Sequence, residues 1–256
     1  MKNRIVSFMM IAAAVIMSSC NDDENNSGNY PLAVRMTDAP ADYDEVNIDL
    51  LAVEVTGSNG QTVLLNTEAG IYNLLDLSNG VSTMIATSTL ADARVNQIRL
   101  ILGNDNTVVV DGVTYPLATP SAQQSGLKLQ FNQELQADTQ NVILLDFDAN
   151  QSIVVTGNGS YSLKPVIRNV DLATTGNISG SISLVGVLAT VTATSSTGVE
   201  YSSTVNENGQ FQVSGLAPGT YTLTITPYDS LLPTIQTNIQ VQAGSTTNVG
   251  IVTVQL

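Results

Sequence analysis

The sequence predicts an all-β protein in which two β-sandwich-like domains follow an N-terminal targeting segment and a short tether. Apolar and polar residues alternate at a period of two in most apolar runs, which is typical of strands with one buried face. Asp-Gly and Asn-Gly pairs follow several of these runs and supply the positive φ angles of tight hairpins. All basic residues lie at or before Arg168, and this change in charge predicts where one domain ends and the next begins.

Residues 1–19 have the features of a lipoprotein signal peptide. A short basic start is followed at 5–17 by a mostly apolar run that is too short to span a bilayer. Ser18 and Ser19 suit a narrow peptidase cleft, and Cys20, the single cysteine of the chain, comes directly after them. The sequence therefore predicts cleavage before Cys20 and lipidation of its thiol. An ordinary secretory peptide with an incidental cysteine is the alternative.

The residues after the cysteine are polar and acidic, and they predict a disordered tether over residues 20–30. Asp22, Asp23 and Glu24 resemble the export tag of surface-exposed lipoproteins in one Gram-negative phylum. That resemblance implies a protein anchored by lipid in the outer membrane and facing the cell exterior, with the periplasmic face as the alternative. Two or three acyl chains would make the anchor permanent, since each buried CH2 contributes about 0.8 kcal/mol.

Charge divides the mature chain into two predicted domains. Residues 31–172 form an acidic domain that contains six of the eight basic residues, whereas residues 175–256 contain none of them. The segment between them is short, which indicates a stiff connection. With 22 acidic residues and a formal net charge of −14, the chain should be repelled by nucleic acid and by anionic lipid headgroups.

Turn signals mark the hairpins of the first domain. An alternating run at 46–55, a glycine-containing turn and a returning run at 62–65 predict one pair of strands. Asp-Gly at 111–112 and Asn-Gly at 158–159 predict two further hairpins. Only Ser82–Ala93 is compatible with a short helix.

Six short segments occur in a definite order along the first domain: Thr37-Asp38-Ala39-Pro40; Tyr43-Asp44 with Val46 and Ile48; Gln97-Ile98-Arg99-Leu100; Ser125-Gly126-Leu127-Lys128-Leu129; Leu145-Asp146-Phe147-Asp148-Ala149; and Tyr161 to Ile167. In that order and spacing they resemble an uncharacterised family of domains found mainly in bacterial surface lipoproteins. The resemblance covers nearly all of residues 31–170 and implies a single domain there. The family brings no assigned activity with it.

One continuous segment of the second domain, residues 206–225, carries a sharper likeness. Asn208-Gly209 predicts a hairpin turn, and the residues from Phe211 to Leu216 place apolar side chains inward at strand spacing. The segment resembles the carboxypeptidase-regulatory-like, or transthyretin-like, β-sandwich, which implies about seven strands over roughly 175–256. The family implies a spacer, binding or assembly unit and contains no peptidase site.

The residue types missing from the chain exclude several kinds of chemistry. There is no histidine, and the one cysteine is assigned to the lipid, so neither a Ser-His-Asp nor a Cys-His catalytic set can be assembled. The usual ligands of zinc and copper are missing for the same reason. We therefore expect a protein that is not an enzyme and has no cofactor. A carboxylate-only hydrolase, an enzyme that uses serine with lysine, and an oxygen-only calcium site remain open.

Two groups of acidic residues are candidates for such a calcium site. Asp146 and Asp148 are separated by one residue, so in a strand they would share one face about 7 Å apart, close enough to hold calcium or to flank a glycosidic bond. Their alternative is to project into solvent while Phe147 enters the core. The second group lies beside Pro40 and consists of Asp38, Asp42, Asp44 and Glu45. Its alternative is to cap turns by accepting backbone N–H bonds.

Together these features predict a non-catalytic lipoprotein of the cell surface. The main hypothesis is a binding or display module for a glycan or a partner protein, joined to the membrane through its lipid anchor and without a nucleic-acid partner. The alternative is a structural subunit or anchor of a fimbria-like surface assembly. Proteolytic cleavage after Arg35, in the predicted first strand, would favour the alternative.

Overall fold

The computed structural model describes residues 28–39, 41–119, 126–157, 159–172, 174–228 and 232–254. The predicted signal peptide, the lipidation site Cys20 and most of the predicted tether lie outside the described residues. None of the helices in these ranges has both the length and the apolar character needed to cross a membrane. The prediction of an all-β protein is confirmed, because strands form nearly all of its regular structure.

Two separate hydrophobic cores divide the described chain into a first and a second domain. The strands of the first domain are β1 (Tyr30–Ala39), β2 (Glu45–Gly57), β3 (Thr62–Leu64), β4 (Asn66–Thr67), β5 (Gly70–Asn73), β6 (Thr83–Leu90), β7 (Arg94–Leu102), β8 (Thr107–Val110), β9 (Val113–Ala118), β10 (Leu127–Glu134), β11 (Asn141–Asp148), β12 (Ile153–Val155), β13 (Tyr161–Leu163) and β14 (Ile167–Val170). A 3-10 helix (Leu74–Leu77) and a one-turn α-helix (Ala149–Ser152) interrupt them.

Two sheets enclose the core of the first domain. One has the strand order β14-β11-β1-β6-β4, and the other has the order β10-β7-β2-β8-β9-β13-β12, with β3 and β5 paired to β2. In the first sheet, β1 is central and pairs in parallel with β11 and antiparallel with β6. Leu32, Val34 and Met36 alternate along β1 into the core, so the opposite face of this sheet is free to contact the second domain.

The predicted hairpins of the first domain are present where the described residues allow a comparison. Asp111 and Gly112 have φ angles of 51° and 72°, as a type I′ turn requires, and they join β8 to β9. The short helix expected within Ser82–Ala93 is wrong, because Thr83–Leu90 forms β6. Its Thr and Ile residues favour a strand, and pairing with β1 places Ile85 and Ala86 in the core.

The second domain is a sandwich of seven strands, as predicted. The strands are β15 (Gly176–Ile182), β16 (Ala189–Ser195), β17 (Glu200–Thr204), β18 (Gln210–Leu216), β19 (Gly219–Pro227), β20 (Thr234–Val241) and β21 (Thr246–Val252). They form a three-stranded sheet, β18-β15-β21, and a four-stranded sheet, β17-β16-β19-β20. Phe211, Val213 and Leu216 are buried between the sheets, as their spacing predicts.

Tyr221 closes one end of this second core. Its hydroxyl donates a hydrogen bond to the Ala217 carbonyl oxygen at 2.8 Å, and its ring meets the Tyr201 ring edge-on with centroids 6.0 Å apart. Burial is the main cause that raises the pKa of Tyr221 to about 12. The side chain therefore stays a neutral donor across the physiological range.

Replacing Tyr221 with Phe is expected to lower the free energy of unfolding by about 1 kcal/mol, because the Ala217 carbonyl loses its buried donor while the ring is kept. Chemical denaturation followed by circular dichroism would measure the change. Tyr228→Phe is the matched control, since the Tyr228 hydroxyl accepts a bond from Thr190 on an exposed surface. Equal losses for the two variants would contradict the assigned role of Tyr221.

Candidate functional site

Two of the first-domain motifs lie side by side at the ends of β1 and β11. The parallel register pairs Thr37 with Asp146 and Asp38 with Phe147. Phe147 is 1% exposed and belongs to the core, so Asp146 and Asp148 share the opposite face of the sheet, as predicted. Asp38 continues the alternation of the core-facing residues of β1, so it lies on the core face of the sheet, opposite to Asp146 and Asp148.

Asp38 is a buried carboxyl group that anchors the start of the one-turn helix. It is 5% exposed, and its Oδ1 accepts the Ala149 backbone N–H at 3.0 Å. Its Oδ2 has no hydrogen-bond partner among the described residues. Burial is the main cause that raises the pKa of Asp38 to about 9, and the nearby Asp146 and Asp148 carboxylates add to it. Asp38 is thus a neutral acid at pH 7.

Asp148 is the N-terminal capping residue of the same helix. Its carboxylate accepts the Gln151 backbone N–H at 2.9 Å and the Gln151 side-chain amide at 2.5 Å. Asp38 and Asp148 therefore each hold one backbone N–H of the first helical turn, where helices otherwise leave these donors unpaired. Asp38 thus accepts a backbone N–H, as the capping alternative predicts, whereas the sequence pattern does not predict a capping role for Asp148.

Asp146 pairs with a cation that also contacts the second domain. Arg168, its cross-strand partner on β14, donates from Nε to Asp146 Oδ2 at 2.5 Å and forms a salt bridge with the same oxygen. The guanidinium carbon of Arg168 lies 4.8 Å from the centroid of the Tyr201 ring in the second domain. Burial raises the pKa of Asp146, and the Arg168 charge opposes that rise.

The expectation that Asp146 projects into solvent is wrong. The second domain covers this face of the sheet, so only 6% of Asp146 is exposed. Strand alternation correctly indicates which face a residue occupies. It carries no information on whether a distant domain lies against that face, which is why the sequence pattern alone could not find this contact.

Asn79 forms a second contact between the domains. It has a φ of 59°, and its side-chain amide lies along β18, donating to the Gln210 carbonyl at 3.1 Å and accepting the Gln212 N–H at 2.5 Å. The amide thus takes the place of a neighbouring strand at this edge. The Thr37 hydroxyl, 2.7 Å from the Val81 carbonyl, fixes the turn that carries Asn79.

Beside the Arg168–Tyr201 contact the domains enclose a cleft of about 440 Å³. Three acidic side chains and one basic side chain line it. The other polar lining groups are two side-chain amides, one serine hydroxyl and one tyrosine. The lining residues are Ala39, Asp146, Asp148, Asn150, Gln151, Val166, Ile167, Arg168, Val199, Glu200, Tyr201 and Ser202. Because Arg168 neutralises Asp146, Asp148 and Glu200 leave the cleft acidic.

Asp44 does not join the other candidate acids. It accepts the Gly112 backbone N–H at 2.8 Å and so caps the hairpin between β8 and β9. Across the described ranges, no group of three or more His, Cys, Asp or Glu side chains has the arrangement to hold a metal ion. Calcium binding by Asp38, Asp44, Asp146 and Asp148 therefore stays a prediction.

Comparison with known families gives two matches that follow one another along the chain. Residues 31–165 match the family described as "Domain of unknown function (DUF4382)". Residues 175–255 match the family described as "Carboxypeptidase regulatory-like domain". No curated protein matches the chain.

Several solved structures are distantly similar to the chain. The Bacillus anthracis TIE protein is 15% identical with a TM-score of 0.26, over 89% of this chain and 34% of its own, so this chain spans about a third of its length. The major pilin subunit of Bacillus cereus, BcpA, is 10% identical with a TM-score of 0.23, over 89% and 70%. A Streptococcal ancillary pilin is 12% identical with a TM-score of 0.21, over 88% and 62%.

Proposed function

Because the chain belongs to the DUF4382 family, whose function is unknown, we propose a function from its own sequence and geometry. The proposal is a non-catalytic, lipid-anchored protein of the cell surface that binds a glycan or a partner protein. The observation that carries the proposal is the cleft of about 440 Å³ where the domains meet. Ligand sites form preferentially at domain interfaces and combine an apolar lining with a few polar groups.

The charge of the cleft favours a ligand that carries a positive group. Asp148 and Glu200 supply the uncompensated negative charge, and the surrounding chain is strongly acidic. Asn150, Gln151 and Ser202 add donors and acceptors for hydroxyl or amide groups. A basic peptide segment of a partner protein, or a glycan with amino groups, matches this chemistry.

Two sequence features support the remaining parts of the proposal. The predicted lipidation of Cys20 and the acidic segment after it support a position on the outer surface. The chain contains no histidine, and its one thiol is assigned to the lipid, so a strong nucleophile is lacking for catalysis. A surface that only binds a ligand requires neither a histidine nor a free thiol.

Ligand binding can be tested with the mature chain bearing Cys20→Ser, presented to arrays of glycans and host proteins with and without calcium. We expect saturable, salt-sensitive binding that Glu200→Gln weakens about fivefold, since the positive group of the ligand loses the Glu200 carboxylate as its partner. Glu207→Gln is the control, because Glu207 is an exposed acid of the same domain outside the cleft. Equal effects of the two variants would remove the cleft as the site. Binding lost on calcium removal would support the calcium prediction.

A structural role in a fimbria-like assembly is the second candidate. One observation favours it: β20 is an edge strand of its sheet, and Ile235 on it is 62% exposed. Exposed apolar edges pair readily with strands of other chains. Under this candidate the mature chain forms oligomers that Ile235→Lys disperses, as light scattering would detect. A monomer at all concentrations would count against it.

A further inference from the structure

The second domain carries another depression, separate from the interdomain cleft. It is a groove of about 500 Å³ on the outer face of the sheet β18-β15-β21, bordered at one end by Asn79 of the first domain. Nearly all of its side chains are uncharged hydrogen-bonding groups. The lining residues are Asn79, Ser179, Gly180, Ser181, Asn206, Gln210, Phe211, Gln212, Asn248, Gly250 and Ile251.

Several polar groups of the groove are not engaged within the protein. The hydroxyls of Ser179 and Ser181 and the side-chain amide of Gln210 form no hydrogen bond to any part of the chain that the structure describes. Ser181 and Gln210 are direct cross-strand partners, and Ser179 is the partner of Gln212. Such neighbours have Cβ atoms about 5 Å apart, so these donors and acceptors converge on one ligand-sized area.

The walls of the groove are held in place by bonds that do not occupy these groups. Asn206 Oδ1 accepts the Gln210 N–H at 2.9 Å, and Asn248 Oδ1 accepts the Gly250 N–H at 2.7 Å. Gly250 has a φ of 72°, and a Cβ there would meet nothing within 4 Å. The bulge at Gly250 thus leaves open space beside Ser181, in a frame that need not rearrange on binding.

The charge pattern decides which chemical class suits the groove. No charged side chain lines it, although the chain has a net charge of −14. An anionic ligand would be repelled by the whole chain, and a cationic one would find no partner here. Amides and hydroxyls both donate and accept, as do the hydroxyls of an uncharged sugar. The volume also lies within the range of small-molecule sites.

From these observations we infer that the groove is a second binding site, and that its ligand is a neutral sugar chain. Ser179, Ser181 and Gln210 bind the sugar hydroxyls, and the exposed Ile251 at the rim contacts an apolar face of the sugar ring. The inference goes beyond the proposed function, because this site shares no lining residue with the interdomain cleft.

The test uses the mature chain with Cys20→Ser, titrated with neutral tetrasaccharides of glucose, mannose and xylose while backbone amide resonances are recorded. We expect at least one sugar to shift the resonances of Ser179, Ser181 and Gln210, and Gln210→Leu to weaken its affinity at least fivefold. Gln240→Leu is the matched control, because Gln240 is an exposed strand residue outside the groove.

Sugar binding in the groove can be tested separately from ligand binding in the interdomain cleft. Absence of shifts at these residues with every sugar, or equal affinity in Gln210→Leu and the parent, would overturn it. Protein binding at the groove without sugar binding would also overturn it. Glu200→Gln should leave sugar affinity unchanged while it weakens binding in the cleft, so failure of one site is distinguishable from failure of the other.

Discussion

Replacing Asp38 with asparagine is expected to raise the free energy of unfolding at pH 7 by about 2 kcal/mol and to flatten its dependence on pH. Asparagine keeps the oxygen that accepts the Ala149 N–H and matches the shape of the neutral acid. It removes the cost of protonating a carboxylate that would be ionised in the unfolded chain. Asp38→Ala removes the bond as well and should therefore be destabilising.

The direction of the pH dependence follows from the raised pKa. The folded state holds a proton on Asp38 up to about pH 9, whereas the unfolded chain releases it near 3.8. The stabilisation is therefore fully present below about pH 4 and is lost as the pH rises toward 9. Within that window the slope reaches at most about 1.4 kcal/mol per pH unit. The raised pKa of Asp146 acts in the same direction.

Denaturant titrations of the parent and of Asp38→Asn at intervals across this window would measure both effects. Asp44→Asn is the matched control, because the Asp44 carboxylate also accepts one backbone N–H but is exposed. We expect the control to retain the slope of the parent. A parent protein whose stability rises from pH 4 to pH 7 would contradict the assignment of Asp38 as a neutral acid.

Arg168→Gln is expected to lower the free energy of unfolding of the first domain by about 2 kcal/mol and to loosen the second domain. The substitution leaves the Asp146 carboxylate buried without its cation, and the loss of one partner costs more than the pair contributes. It also removes the guanidinium from the Tyr201 ring, a contact of about 0.5 to 1 kcal/mol. We therefore expect faster proteolysis of the short segment that joins the domains.

A double-mutant cycle separates these contributions. Asp146→Asn in the Arg168→Gln background should recover most of the stability but not the resistance to proteolysis, because the Tyr201 contact stays absent. Arg94→Gln is the control, since Arg94 and its partner Glu134 form an exposed pair whose loss should change stability by less than about 0.5 kcal/mol. If Arg168→Gln and Arg94→Gln change stability and proteolysis equally, the contacts of Arg168 with Asp146 and Tyr201 do not hold the two domains together.

Particular residues show how far the sequence predicts this fold. Turn chemistry located the hairpin at Asp111-Gly112, and alternation placed Phe147 in the core, because both signals depend only on neighbouring residues. The helix expected within Ser82–Ala93 is wrong because Thr83–Leu90 becomes a strand through its pairing with β1, which neighbouring residues in the sequence do not reveal.

The candidate site depends on contacts that local patterns do not contain. The burial and ion pairing of Asp146 depend on Arg168 and Tyr201, which lie 22 and 55 positions further along the chain. Asn79 followed by glycine indicates a turn, but nothing near it indicates that its amide would pair with β18. Separate domain families could be recognised from sequence, whereas the cleft between them could not.

The chain leaves the first domain running back toward the end of the sheet at which it entered. β1 begins at Tyr30, β14 ends at Val170, and only β11 separates them, with Leu32 paired to Asn141 and Leu144 paired to Val170. Val170 lies two strand spacings, about 10 Å, to the side of β1 and level with Arg35, about 17 Å along the strand from Tyr30. For a chain anchored at its N-terminus, as proposed, the first domain therefore places the start of the second domain about 20 Å from the end of the tether. The distance from the bilayer at which a ligand is reached depends on the extension of the tether as well as on this offset.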